Sequence, residues 1–411
     1  MSDLTAEPNV IDRFFLDAMS PDHRDDPTAL YRTVRASGPV HSADGLHLVV
    51  GHPECWSILR DPATSNDERR SRVFQEQARS DPRLAAAYDT APLLVFMDPP
   101  EHTRLRATVA AAFTPRRVAG LRRTIERIAT ECVDRMLDGG EADAIEHLAS
   151  PLPIAVICEL LGVPLADRSR FGAWSAALAK SIDPHVLRTE ADDHAIDEAT
   201  RELRAYTDAL LAERRADRRD DLISDLVSGH DPATMPSDEE LADLVTLLLA
   251  AGHETTVGLI GNGLHALLGR PDQLAAWPNS TDQARPAVDE LLRFDPPLQF
   301  VQRIATTEVE LGDRTVAAGD LVVVALGAAN RDPAAFEDPD DLDIARANSH
   351  LHVSFGGGIH HCLGAALARL EGAIAITTLL AAAPNLRATG DAPLRDTFNL
   401  RGRARLPVTL R

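Results

Sequence analysis

The sequence predicts a mainly helical chain with a small, segregated β component, folded as one large domain. Three observations carry that expectation. Aromatic residues make up only 4% of the 411 residues, while Ala and Leu abound; this mix suits packed helices better than β-sandwiches. Helical periodicity dominates from about Glu101 to Leu268 and ends in a proline-free run from Asp238 to Leu268. Alternating or β-branched patterning is confined to short runs within 39–50, 298–325 and 406–410. No internal repeat and no Pro- or Gly-rich linker divides the chain. Residues 27–411 are therefore expected to form a single domain behind a polar segment, 1–26.

The elements follow in order. Residues 27–36 read as a short helix, with Asp26 as cap and Pro27 in the first turn. Pro39 to Val50 alternates around Asp44-Gly45, a hairpin signal. Residues 52–60 return to helix. Residues 62–95 are polar and show no clear period, so a long loop is expected there. The Asp238–Leu268 run has Ser237 as its cap and Glu239 and Glu240 in its first turn. At the helical rise it would span ~45 Å. Residues 283–294 form another helix, and Leu321 to Val324 a strand. Residues 328–358 are loop-rich, 362–380 an Ala-rich helix, and Leu406 to Leu410 a last strand.

Composition excludes several functions. Forty-two basic against 63 acidic residues give a net charge of −21. That balance disfavours nucleic-acid binding and docking on anionic membranes. No stretch of 18 uninterrupted apolar residues occurs, and the first 26 residues lack a basic region followed by an apolar one. The four cysteines, Cys55, Cys132, Cys158 and Cys362, form no CxxC pair and no disulfide framework. A reducing, cytoplasmic location is expected. Lys180 is the only lysine.

The segment Phe355-Gly356-Gly357-Gly358-Ile359-His360-His361-Cys362-Leu363-Gly364 is the most informative. Glycines permit positive φ and close approach of backbone to a flat partner. A thiolate at a helix start is favoured by the helix dipole and tuned by backbone N–H groups. Such an arrangement suits an axial thiolate under a metal macrocycle. Taken alone, it also fits a Gly-rich turn before a structural cysteine. At every fixed position, however, the string resembles the haem-binding loop of the cytochrome P-450 family, soluble bacterial branch. The resemblance implies that Cys362 ligates the iron of haem b (iron protoporphyrin IX). It also implies that Phe355 packs beside the sulfur, that His360 bonds a propionate, and that Gly356, Gly358 and Gly364 shape the loop.

Three further segments carry the same resemblance. Ala251-Gly252-His253-Glu254-Thr255-Thr256 places poor helix formers inside a long helix, a conflict that often marks function. A threonine hydroxyl there can bond the carbonyl one turn back. His253-Glu254 also begins a zinc-protease-like string, but position 257 is Val257 and not histidine. The segment resembles the family's oxygen-activation motif. Glu254 and Thr255 would then deliver protons, while Ala251 and Gly252 would leave room beside the haem. Glu290 and Arg293, three apart, share a helix face and resemble the family's structural ExxR pair, with Arg346 as third member. His102 and Arg106, four apart, suit paired carboxylates; with Arg303 and His360 they would hold the haem propionates.

The resemblance extends from about residue 27 to the end and implies a single-domain cytochrome P-450 fold with its long central helix over the haem. It implies a monooxygenase that activates O2 with two electrons and hydroxylates or epoxidises a hydrophobic small molecule. With no anchor and no flavin or ferredoxin module expected in the chain, electrons would come from a ferredoxin and its ferredoxin reductase. Arg104, Arg116 and Arg117 are candidates for a basic docking surface. Leu247 and Leu248, then Leu298, Gln299, Phe300 and Val301, then Leu94, Val95 and Phe96 are candidates for the substrate pocket, and each fits a plain core role equally. Peroxide-driven oxidation, dehydration or ring coupling on the same haem remains an alternative. A non-catalytic haem carrier and a zinc site at His360, His361 and Cys362 are the others.

Overall fold

The computed structural model describes residues 8–81, 85, 92–139, 141–228 and 235–410. Packing divides the chain into two compact units, 1–98 with 298–341 and 351–362, and 99–297 with 342–350 and 363–411.

The first unit is built on a five-stranded sheet. Its strands run in the order Val40–Ala43, Leu46–Val49, Leu321–Ala325, Phe300–Ala305, Thr64–Ser65. The expected hairpin forms the first two strands, with Asp44 and Gly45 at φ 47° and 78° in its turn. Leu46–Val49 pairs parallel to Leu321–Ala325, which pairs antiparallel to Phe300–Ala305 with Val301 opposite Val324 and Arg303 opposite Val322. Side chains alternate along a strand, so Val301, Arg303, Val322 and Val324 share one face. That face packs on Cys55, Ile58 and Leu59 at the helix His52–Ile58 and on Val353.

The opposite face is covered by a helix that the sequence reading missed. Val10–Met19 lies inside the segment taken as polar, of which residues 1–7 fall outside the described chain. Asn9 caps it, its side-chain oxygen accepting from the N–H groups of Ile11 and Asp12. Ile11 and Phe14 are buried with Leu30, Tyr31 and Leu48. The signal was present in apolar residues at Ile11, Phe14 and Phe15, spaced for one helix face. A second helix, Arg72–Ser80, replaces part of the loop expected at 62–95. None of its residues is buried, so no apolar stripe announced it. The rest of that expectation at 82–84 and 86–91 lies outside the described residues.

The second unit is helical and centres on Asp238–Leu268. Its start is the predicted cap in full: Ser237 accepts from the Glu240 N–H while Glu240 accepts from the Ser237 N–H. It packs on the helices Pro151–Leu161, Arg168–Lys180, Glu190–Ala216, Thr281–Phe294 and Ala365–Ala382. This helix and Ala365–Ala382 are long and apolar enough by composition to cross a membrane. Much of each apolar window is instead buried inside the protein, 61% and 50%, which marks them as core helices. The Ala-rich helix begins at Ala365 and not at Cys362, because Gly364 is its non-helical cap.

Candidate active site

In the first unit the Gly-rich segment folds as a closed loop. The Cys362 N–H donates to the Phe355 carbonyl at 2.9 Å, and the Gly356 N–H to the Val353 carbonyl at 2.8 Å. Asn330, fully buried, accepts from the Val353 N–H and donates to Ser354. Gly356 and Gly358 sit at φ 66° and 65°, where a side chain is strained. At Gly358 an added Cβ would also lie 2.7 Å from the Leu59 carbonyl oxygen. The loop therefore needs glycine there for both reasons.

Burial sorts the four cysteines. Cys55, Cys132 and Cys158 are buried, and desolvation pushes each thiol up, that of Cys158 to about 12. A thiol so placed is a poor source of thiolate. Cys362 is exposed. Arg303 shows the opposite problem: it is a cation in a dry place, 4% exposed. Burial pushes its guanidinium down to about 10, against the attraction of Asp98. It donates to the Gln302 carbonyl and makes no ion pair among the described residues.

In the second unit the middle of the long helix has two different sides. The Thr255 hydroxyl donates to the Ala251 carbonyl at 2.9 Å, the back-bond its position suggested, within an unbroken helix. Ala251 is exposed and Thr255 half-buried. At Gly252 an added Cβ would meet Ile157 at 3.4 Å, an ordinary contact with the helix Pro151–Leu161. On the buried side Glu254 pairs with Arg395, a partner that sequence reasoning did not find. His253 Nε2 donates to the Ser150 carbonyl at 3.1 Å, and burial pushes the imidazole down to about 4. His253 is thus neutral at pH 7, with Nδ1 as an acceptor.

His102 and Arg106 lie on the helix Glu101–Ala110, His102 buried and Arg106 half-buried. Glu290 and Arg293 are both fully buried and meet in a bidentate pair at 2.7 and 2.8 Å. Arg346 joins at 3.2 Å, and the Asp343 N–H donates to the same carboxylate. The predicted triad is therefore assembled. Arg104 and Arg117, expected on a basic surface, are ion-paired with Glu240 and Asp225.

The pocket candidates divide. Leu247 and Leu248 are half-buried on the long helix. Leu94 is buried, Val95 exposed and Phe96 half-buried in a single helical turn. Leu298 and Val301 lie at the edge of the sheet's inner cluster. Phe300 departs from expectation. One residue along the strand it faces the other way, and its ring packs edge-on against Phe14 and Phe15 at 6.0 and 5.7 Å. Gln299 is held by the Tyr31 hydroxyl. Both belong to core packing.

The family model for cytochrome P-450 matches residues 175–382. The chain is 40% identical over 420 residues to the monooxygenase PikC of Streptomyces venezuelae, covering 99% of this chain and 96% of PikC. The chain belongs to the cytochrome P-450 family. It is also 39% identical over 393 residues to the vitamin D(3) 25-hydroxylase of Pseudonocardia autotrophica, with 93% and 94% covered. The crystal structure of ligand-free CYP164A2 from Mycobacterium smegmatis superposes with a TM-score of 0.86 at 37% identity, over 97% of this chain and 99% of that one. The mainly helical fold with small sheets is that of the family. As a cytochrome P-450 it is a haem-thiolate monooxygenase, and its cofactor is haem b.

The residues fit that group. One cysteine of four is placed to offer a thiolate. The buried Arg303 guanidinium makes no ion pair among the described residues, and a propionate would supply one. At Gly364 an added Cβ would meet nothing within 4 Å, so a side chain there would occupy space the fold leaves beside the loop.

Proposed function

We propose that Cys362 is the iron ligand of an O2-dependent monooxygenase that hydroxylates or epoxidises a hydrophobic small molecule. Phe355, Gly356, Gly358 and Gly364 shape the ligand loop, and His102, Arg106, Arg303 and His360 hold the propionates. The haem, once bound, supplies O2 activation and hydrogen abstraction. The protein's own work is to hold the thiolate, to offset two carboxylates and to move protons. Glu290, Arg293 and Arg346 take no chemical part and tie the helix 281–294 to the segment 343–346. Residues 27–411 act as one catalytic domain in the cytoplasm. Electrons come from a ferredoxin and ferredoxin reductase. Leu247, Leu248, Leu298 and Val301, with Leu94, Val95 and Phe96, are the candidates for lining the substrate site, and as apolar residues they suit a hydrophobic substrate.

The observation that carries the O2-dependent reading is the Thr255–Ala251 hydrogen bond beside a buried acid. We read the hydroxyl on the open side of the helix and the carboxylate one residue before it as the two members of a proton route. Users of peroxide need no such route. The test is turnover with ferredoxin, ferredoxin reductase and NADPH against a panel of a sterol-like secosteroid, a macrolide and a fatty acid. Thr255→Ala is expected to lower product formed per O2 consumed by roughly tenfold, the lower part of what a positioned acid–base group contributes. O2 consumption itself should persist. Unchanged coupling, or equal turnover with peroxide alone, would reject this reading in favour of the peroxide-driven one.

A further inference from the structure

The hairpin at the edge of the five-stranded sheet brings together a hydroxyl, an imidazole and a carboxylate that the haem site does not use. Ser42 and His47 stand opposite each other on its two strands. The Val50 N–H donates to the Pro39 carbonyl at 2.9 Å, so residues 39 and 50 form a hydrogen-bonded pair. Pairs alternate along an antiparallel ladder. Residues 42 and 47 are therefore a non-hydrogen-bonded pair, the kind that brings side chains closest. The Ser42 hydroxyl accordingly lies 2.8 Å from His47 Nδ1. His47 Nε2 lies 3.0 Å from Asp320 Oδ2. Asp320 directly precedes the strand Leu321–Ala325, whose Val322 is the partner of His47 in the parallel pairing.

Burial and charge put each group in the state that acyl transfer needs. His47 and Asp320 are 4% and 5% exposed, while Ser42 is exposed. Burial works to raise the Asp320 carboxyl, but hydrogen bonds from His47, Arg72 and the Ala317 N–H outweigh it and hold the group below its ordinary value. A carboxylate only accepts, so Nε2 carries the imidazole proton and Nδ1 keeps its lone pair for the Ser42 hydroxyl. The carboxylate is fixed in place. The Asp320 N–H donates to the Ala317 carbonyl at 3.0 Å, and its carbonyl accepts from the Ala305 N–H at 3.1 Å. Arg72 pairs with Oδ1 and leaves Oδ2 to His47 and the Ala317 N–H. Gly45, at φ 78°, leaves room for it, since an added Cβ would lie 3.1 Å from Oδ1. A purely structural clip would end at the His47–Asp320 bond. The exposed hydroxyl on the far nitrogen adds a nucleophile to a base and its orienting acid. Ser42, in a non-hydrogen-bonded pair on the edge strand, also directs its backbone N–H to the open edge of the sheet. The nucleophile's own N–H is one of the donors that hold an oxyanion.

We propose that Ser42, His47 and Asp320 form a second catalytic centre, an esterase site for small activated acyl esters that makes no use of haem. Ser42 is the nucleophile, His47 the general base and Asp320 the positioning residue. The Ser42 O–H proton passes to His47 Nδ1 as Oγ bonds the acyl carbon. The bond from that carbon to the leaving oxygen then breaks, and the leaving group takes the proton from His47. Water gives a proton to His47 and attacks the acyl carbon. The bond to Oγ breaks, Ser42 regains the proton, and a carboxylic acid departs. One backbone donor stabilises the oxyanion less than the pair of a dedicated hydrolase. The substrate class is therefore esters with good leaving groups, of which an aryl acetate is the simplest.

The test uses the purified, haem-loaded protein with no electron donor present. A fluorophosphonate, which forms a P–O bond to an activated serine as fluoride leaves, should label Ser42, located by peptide mass spectrometry. p-Nitrophenyl acetate should be hydrolysed, and Ser42→Ala should lower that rate at least tenfold and remove the label. His47→Gln should slow labelling by roughly 100-fold, the lower end of what a positioned base contributes. Asp320→Asn should slow labelling and move its pH midpoint down, because the imidazolium loses its carboxylate. The charged groups about His47 are Asp320 and, through it, Arg72. A merely structural Asp320 would change thermal stability and leave that midpoint in place, which overturns its role. Absence of label on Ser42 in the unaltered protein overturns the proposal without depending on any variant's folding. Ester hydrolysis that is the same in Ser42→Ala as in the parent overturns it as well.

Discussion

Glu290→Ala is expected to lower stability by about 3–5 kcal/mol, the cost of stranding a buried charge by removing its partner. Arg293 is fully buried, and both its Nε and one of its terminal nitrogens donate to Glu290. Without the carboxylate, Arg293 and Arg346 are left as two cations facing each other, and the Asp343 N–H loses its acceptor. Most domains are only about 5–15 kcal/mol more stable than their unfolded chains, so this change is a large fraction of the total. The measurement is soluble yield and thermal unfolding followed by circular dichroism. Little soluble protein, or a strongly lowered midpoint, is the expected result. A midpoint within a degree or two of the parent would show that the triad adds nothing to stability. Glu290→Gln should fall between, because the amide keeps one acceptor and loses the charge.

Cys362→Ser is expected to abolish monooxygenase turnover while leaving the fold intact. The side chain is exposed, so its replacement opens no cavity. The loop's closing bond comes from the Cys362 backbone N–H to Phe355, which serine retains. What is lost is the thiolate. Serine does not ionise at neutral pH, and the electron donation that favours O–O cleavage goes with it. Turnover should fall by more than the roughly 100-fold that removing an outer-shell partner costs a metal site. Circular dichroism should be unchanged. Retained turnover would mean that another group ligates the iron. The three remaining cysteines are poor candidates, since burial pushes all of their thiols up.

What could be read from the sequence follows a physical division. Features made by neighbours in the chain were legible. The Ser237 cap with its acid three residues on, the Asp44-Gly45 turn and the Thr255 hydroxyl reaching back to Ala251 depend on spacing alone. The ligand loop was legible because its glycines and cysteine are contiguous. Features made by distant segments were not. Arg395 is 141 residues from Glu254, and nothing in its surroundings marks it. Arg346, 56 residues from Glu290, was found only through the family resemblance. Phe300 and Val301 show a third case. Alternation says that they face opposite ways, but only the position of Phe14 and Phe15 says which way is inward for each. The helix Arg72–Ser80 buries nothing, so it carries no apolar pattern to read.

The central claim is that Cys362 ligates haem iron as a thiolate, and the reduced carbon-monoxide difference spectrum of the purified protein tests it most directly. The account predicts the strongly red-shifted Soret band of a thiolate-ligated haem, lost in Cys362→Ser. A haem protein that lacks the band in its native, folded form would contradict it, as would a folded chain that takes up no haem.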